Sequence, residues 1–163
     1  MLALGIDPGT AITGYGLVRQ AESGDLQALA HGVIQTMPDI PLPERLVAIY
    51  RETVRLLEQY QPDTAAVEKL FFQKNVRTAI SVGQARGVVL LALAQAKVPI
   101  GNYTPMEIKQ AVAGYGGADK LQVQHMVRAL LHLEKIPRPD DAADALAVAI
   151  THLQISRFKS AYE

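Results

Sequence analysis

The side chains of this sequence best placed to do chemistry are carboxylates, standing where a carboxylate is costly to bury. Leu2, Leu4 and Ile6 are the apolar positions of a short strand that Pro8 and Gly9 end, so Asp7 is its last residue. Thr64 to Val67 repeats the pattern, a short apolar run closing on Glu68. Asp140-Asp141-Ala142-Ala143-Asp144 opens the last helix, and the three-residue spacing puts Asp141 and Asp144 on one face. Asp140 reads as the helix cap. Taken alone, Asp7 also reads as an Asx-turn residue, and first-turn acids also suit the helix dipole. Grouped without a cation, Asp7, Glu68, Asp141 and Asp144 would raise one another's pKa. With no Cys in the chain, four hard oxygen donors suit Mg²⁺ or Mn²⁺. Such ions activate water and stabilise the leaving oxygen of a phosphodiester.

The elements that must position these acids follow from periodicity. Gly14 to Arg19 and Leu26 to Thr36 read as second and third strands, joined to the first by short links and therefore antiparallel. Leu46, Ile49, Tyr50, Thr53, Leu57 and Tyr60 carry helical spacing through residues 44–60. A strand, a helix and a second strand then favour a parallel pair, with Asp7 and Glu68 side by side at its carboxyl ends. Thr78 to Ala96 reads as a long Ala-rich helix and Val98 to Tyr103 as a fifth strand. A short helix carrying Lys109 and a longer one over 121–133, with Lys120 near its start, follow. The fold class is α/β, a mixed five-stranded sheet.

Length fits one domain over residues 1–155, with a weakly patterned tail, 156–163, read as disordered. No basic leader with an apolar core opens the chain, and the longest apolar run, Val88 to Ala94, falls short of a membrane span. A soluble cytoplasmic protein without membrane contact is expected. Net charge is zero but unevenly spread: residues 1–65 carry 4 Lys/Arg against 8 Asp/Glu. No acid lies between Glu68 and Glu107, a stretch holding Lys69, Lys74, Arg77, Arg86 and Lys97. That stretch reads either as a phosphate-binding surface or as an ordinary solvated face. Phe71 and Phe72 sit in a loop where at least one is exposed, a stacking platform if bases come near. Gly9, Thr10 and Gly14-Tyr15-Gly16 also read as an anion loop, as in two-domain actin-like ATPases. The loop at 114–120 lacks the Gly-Lys-Ser/Thr of a P-loop. His31, His125, His132 and His152 lack zinc-ligand spacing.

Five ordered blocks resemble the RuvC family of Holliday-junction resolvases. They are Leu4 to Thr10 with Thr13 to Gly16, Glu68 to Asn75, Gly83 to Val88, Lys120 to Arg128, and Asp141 to Ala147. The resemblance implies a ribonuclease-H-like fold with helices on both faces of the sheet. It implies a homodimeric, metal-dependent endonuclease that nicks two like-polarity strands of a four-way DNA junction, leaving 5′-phosphate ends. Asp7, Glu68, Asp141 and Asp144 then match the metal-binding acids, Phe71 a base-stacking aromatic, and Lys109 and Lys120 lysines for catalysis and backbone contact. Lys74 and Arg77 join the DNA contacts, the helix at 78–96 approaches the dimer interface, and the branch-migration proteins RuvA and RuvB are partners. Two competing readings are a related nuclease acting on RNA–DNA hybrid or other branched DNA and a junction-binding module without catalysis.

Overall fold

The computed structural model describes residues 1–69 and 76–162, with side chains through Ser156. The chain runs β1 (Leu2–Asp7), β2 (Ile12–Gln20), β3 (Leu26–Gln35), α1 (Leu42–Tyr60), β4 (Thr64–Glu68), α2 (Val76–Gln95), β5 (Ile100–Tyr103), α3 (Pro105–Ala113), α4 (Lys120–Leu130) and α5 (Asp140–Tyr162). The strands form one sheet in the order β3-β2-β1-β4-β5. β1 to β3 make the antiparallel meander, while β4 pairs parallel with β1 and β5 parallel with β4. The parallel β1–β4 pair expected from the strand–helix–strand order is therefore present.

Side chains alternate across each strand, and the alternation assigns every residue a face. On one face Leu4, Ile6, Leu17 and Val67 pack with Ile49 and Leu56 of α1 and Val89 and Leu93 of α2. On the other, Ala3, Val18 and Ala66 pack with α3, α4 and α5 through Ile108, Val123, Val127, Leu146 and Ile150. Asp7 has the parity of Ala3, and Glu68 that of Ala66, so both acids belong to the α5 face.

That face is built from small residues because α5 lies directly on it. A Cβ at Gly5 would stand 2.1 Å from Ala145 O, one at Gly14 1.9 Å from Asp141 O, and one at Gly16 2.8 Å from Leu146. α5 is buried on all sides from Ala145 to Ile150, as expected of a helix wedged between a sheet and other helices. Farther along, Thr64 Oγ1 and Tyr103 Oη bond the two ring nitrogens of buried His152, at 2.6 and 2.8 Å. This trio ties β4, β5 and α5 together behind the strand ends. His152 is thus structural, as its spacing implied.

Several boundaries differ from the sequence reading. β5 begins at Ile100 rather than Val98, because Lys97 takes a left-handed conformation at φ 56° and Val98 N–H still bonds back to Leu93 O. α4 starts at Lys120 under a capping box from Asp119 and Gln122, and it ends at Leu130, where His132 turns the chain at φ 54°. α5 runs through Tyr162, past Ile155. Gly14 and Gly16 lie inside β2 under α5, so they form no anion loop. α2 starts two residues earlier and ends one residue earlier than the helix read over 78–96. Its 20 residues reach a mean hydropathy of 1.3, enough by length and composition alone to cross a membrane. It packs on α1, with Ala85, Val89, Ala92 and Leu93 buried, while Val76, Ile80 and Leu91 are exposed.

Candidate metal centre

Asp7 and Glu68 reach the site because their strands end there. β1 and β4 stay in register through Ile6 and Val67, so the next residue of each is an acid at the same sheet edge. Asp7 lies opposite Gly14 of β2, and Glu68 opposite Tyr103 of β5. The first turn of α5 crosses above Gly14, which brings Asp141 and Asp144 to the same edge. Carboxylate oxygens of Asp7, Asp141 and Asp144 all lie within 4.8 Å of one another. Glu68 flanks this group and shares a hydrogen bond with Asp7.

The basic residues divide into those at the cluster and those beyond it. Lys120 Nζ lies 3.4 Å from Asp144 Oδ2 and 3.5 Å from Asp140 Oδ2. Lys109 is close enough for its charge to favour ionised Glu68. Arg77 is exposed near the start of α2. Phe71 and Lys74 lie outside the described residues.

Three functional placements escaped the sequence reading. Asp140 is not the residue before α5 but its first residue, and its carboxylate takes Arg138 and Lys120. Arg86 of α2 donates from Nε to Glu68 O at 3.2 Å and from a terminal nitrogen to Asn102 Oδ1 at 2.5 Å, clamping the end of β4 to β5. Arg86 stood out only as a cation in an acid-free stretch. With Asp7, Pro8, Glu68, Lys69, Val82 and Pro105 it lines an open cavity of about 230 Å³ at the cluster's edge. Gly14 read from the sequence as the start of the second strand and as part of an anion loop, whereas its use is to let Asp141 approach.

The electrostatics fit a cation. Burial, with the charges of Glu68 and Asp144, pushes Asp7 well above the usual carboxylate range. Burial also raises Glu68, although its hydrogen bond with Asp7 pulls it down. Asp144 is raised by burial despite Lys120 beside it. One ammonium does not compensate this group of acids, and carboxylates whose oxygens converge this closely suit a hard divalent ion.

The sign of the pH effect follows. Asp7, Glu68 and Asp144 hold protons more tightly folded than unfolded, so they favour the folded state below ordinary carboxylate values, and that stability is lost as pH rises through the raised folded values. The melting temperature of metal-free protein is therefore expected to fall as pH rises from about 4 toward neutrality, through this local contribution. Added divalent cation should flatten the fall, because binding draws the acids into their ionised form. Thermal melts in chelator and in cation, across pH, check this; a metal-free profile that rises over the same window contradicts it.

A mixed sheet of this order, with acids at the ends of its two central strands and on the helix packed across them, defines a ribonuclease-H-like nuclease. The family model of crossover junction endodeoxyribonuclease RuvC matches residues 3–152. The chain is 53% identical over 163 residues to the enzyme of that name from Syntrophomonas wolfei, covering all of this chain and 94% of the relative. The solved structure of Thermus thermophilus RuvC superposes with a TM-score of 0.91 at 40% identity, covering 98% of this chain and 97% of that one. The same protein solved with a Holliday junction substrate gives a TM-score of 0.88 at 38% identity, covering 97% and 96%. The chain belongs to the RuvC family.

Proposed function

We propose that this chain is a structure-selective endonuclease that resolves four-way DNA junctions by symmetric nicking, in homologous recombination and DNA repair. The observation that carries the reading is the convergence of Asp7, Asp141 and Asp144 beside Glu68, in a chain so similar to one solved with a Holliday junction substrate. Asp7, Glu68, Asp141 and Asp144 would hold Mg²⁺, with Mn²⁺ able to substitute, as hard oxygen donors without sulfur favour. The bound cation supplies an activated water and offsets charge on the phosphodiester.

The chain's own residues do the rest. Asp7, Glu68, Asp141 and Asp144 together present ionised oxygens at one sheet edge. The Lys120 ammonium, already at this edge, opposes negative charge developing on the phosphate oxygens. Arg86 fixes the backbone of Glu68, so that this acid keeps its direction when a substrate phosphate approaches. Hydrolysis adds water across one P–O bond and leaves a 5′-phosphate and a 3′-hydroxyl. Lys109, Arg77 and Lys74 contact DNA phosphates, and Phe71 stacks on a base beside the crossover. Phosphate positions and junction shape, rather than base edges, select the substrate.

A junction has two equivalent strands to cut, which suits a C₂ homodimer with two identical sites. The exposed apolar residues Val76, Ile80 and Leu91 support α2 as the dimer face. We place the dimer in the cytoplasm, with RuvA and RuvB as partners by family. A panel of labelled four-way junction, linear duplex and RNA–DNA hybrid tests the substrate. Nicking confined to the junction is expected. Cutting of hybrid keeps the site but replaces the substrate, and tight junction binding without cutting makes the chain a binding module.

A further inference from the structure

Lys120 has a long, freely rotating stem, and a single acid would leave its ammonium many arrangements. Here two acids flank it. Asp140 and Asp144 stand four residues apart on α5, so they share a face. Their Oδ2 atoms lie 3.5 and 3.4 Å from Lys120 Nζ. Arg138 takes the other oxygen of Asp140, Oδ1, which fixes the direction in which that carboxylate points. The stem of Lys120 starts from a fixed point, because Asp119 and Gln122 cap the first turn of α4.

We infer that Asp140 is a positioning residue for Lys120, holding its ammonium at the edge of the acid cluster while Asp144 serves the cation. The inference rests on the resolvase reading and assigns a role within that site. Asp144 belongs to the converging group and Asp140 does not. When Asp144 Oδ2 is committed to a cation, Lys120 keeps Asp140 as its partner and stays over the phosphate. The Lys120–Asp140 pair is exposed, with the Lys120 side chain at 57% and Asp140 at 43%, and exposed ion pairs contribute little to stability. Orientation of Lys120 is thus the larger consequence of Asp140.

Asp140→Asn isolates the charge, since the amide keeps the side chain's shape and removes only its negative charge. The variant is measured beside wild type in single-turnover cleavage of a saturating four-way junction. The rate is expected to fall about tenfold, with junction affinity unchanged. Asp140→Glu should restore part of the rate. In a Lys120→Gln background the same substitution should cost nothing further, because its effect passes through Lys120. Mn²⁺ affinity, by calorimetry without DNA, should match wild type. Full cleavage by Asp140→Asn overturns the inference, as does an undiminished loss in the Lys120→Gln background. Weakened Mn²⁺ binding also overturns it, making Asp140 a ligand. A wild type that cuts no junction removes the resolvase reading and this inference together, whereas a wild type matched by Asp140→Asn removes the inference alone.

Discussion

Asp7→Asn is expected to abolish junction cleavage, by on the order of 10³-fold or more, while junction binding persists. Asp7 closes β1 at the centre of the sheet and stands among the other acids of the cluster. Its oxygens converge with those of Asp141 and Asp144, and it shares a hydrogen bond with Glu68. The amide keeps the shape but removes the ionised oxygen that a hard cation requires. It also removes a carboxylate that burial and its neighbours keep unfavourable when ionised. Metal-free Asp7→Asn should therefore melt no lower than wild type at neutral pH. The loss is then chemical rather than structural, which cleavage, gel-shift and melting measurements on one preparation separate. Loss of junction binding in a variant that melts normally would contradict this account, since it would give Asp7 a role in holding DNA.

Gly14→Ala should have the second-largest effect, through the backbone alone. The added Cβ would stand 1.9 Å from Asp141 O and 2.5 Å from its carbonyl carbon. Both are main-chain atoms at the start of α5, so no side-chain rotation relieves the clash. The first turn of α5 must lift from β2, carrying Asp141 and Asp144 away from Asp7. Overpacking of this kind costs about 1–3 kcal/mol of stability. A ligand displacement near 1 Å costs about 10²-fold in rate. The expected variant is folded, melts lower, binds Mn²⁺ more weakly and cleaves about a hundredfold more slowly. A variant with the wild-type rate and Mn²⁺ affinity would mean that α5 can move without disturbing the cluster.

The four acids were legible because each stands where local sequence fixes its place. Pro8-Gly9 ends one strand after Asp7, a β-branched run ends at Glu68, and Asp141 and Asp144 open a long apolar helix. Strand direction followed from connection length, so their convergence was legible as well. The placements of Asp140, Arg86 and Gly14 were not. Each acts through a contact with a residue distant in sequence. Asp140 meets Lys120 across the packing of α5 on α4, Arg86 meets Glu68 where α2 returns to the sheet, and Gly14 meets Asp141 across two layers. Local pattern assigns such residues generic tasks, a cap, a surface cation and a loop glycine. Tertiary placement replaces them. The start of β5 failed for a smaller reason, the left-handed turn at Lys97, a residue type that seldom signals one.

The most direct test of the central claim is cleavage of a labelled four-way junction by the wild-type chain, with Mg²⁺ and with chelator, mapping cuts on all strands. The account predicts paired nicks at symmetric positions in two like-polarity strands, with ligatable 5′-phosphate ends, in Mg²⁺ alone. Nicks that persist in chelator, or that fall equally on linear duplex, would contradict it.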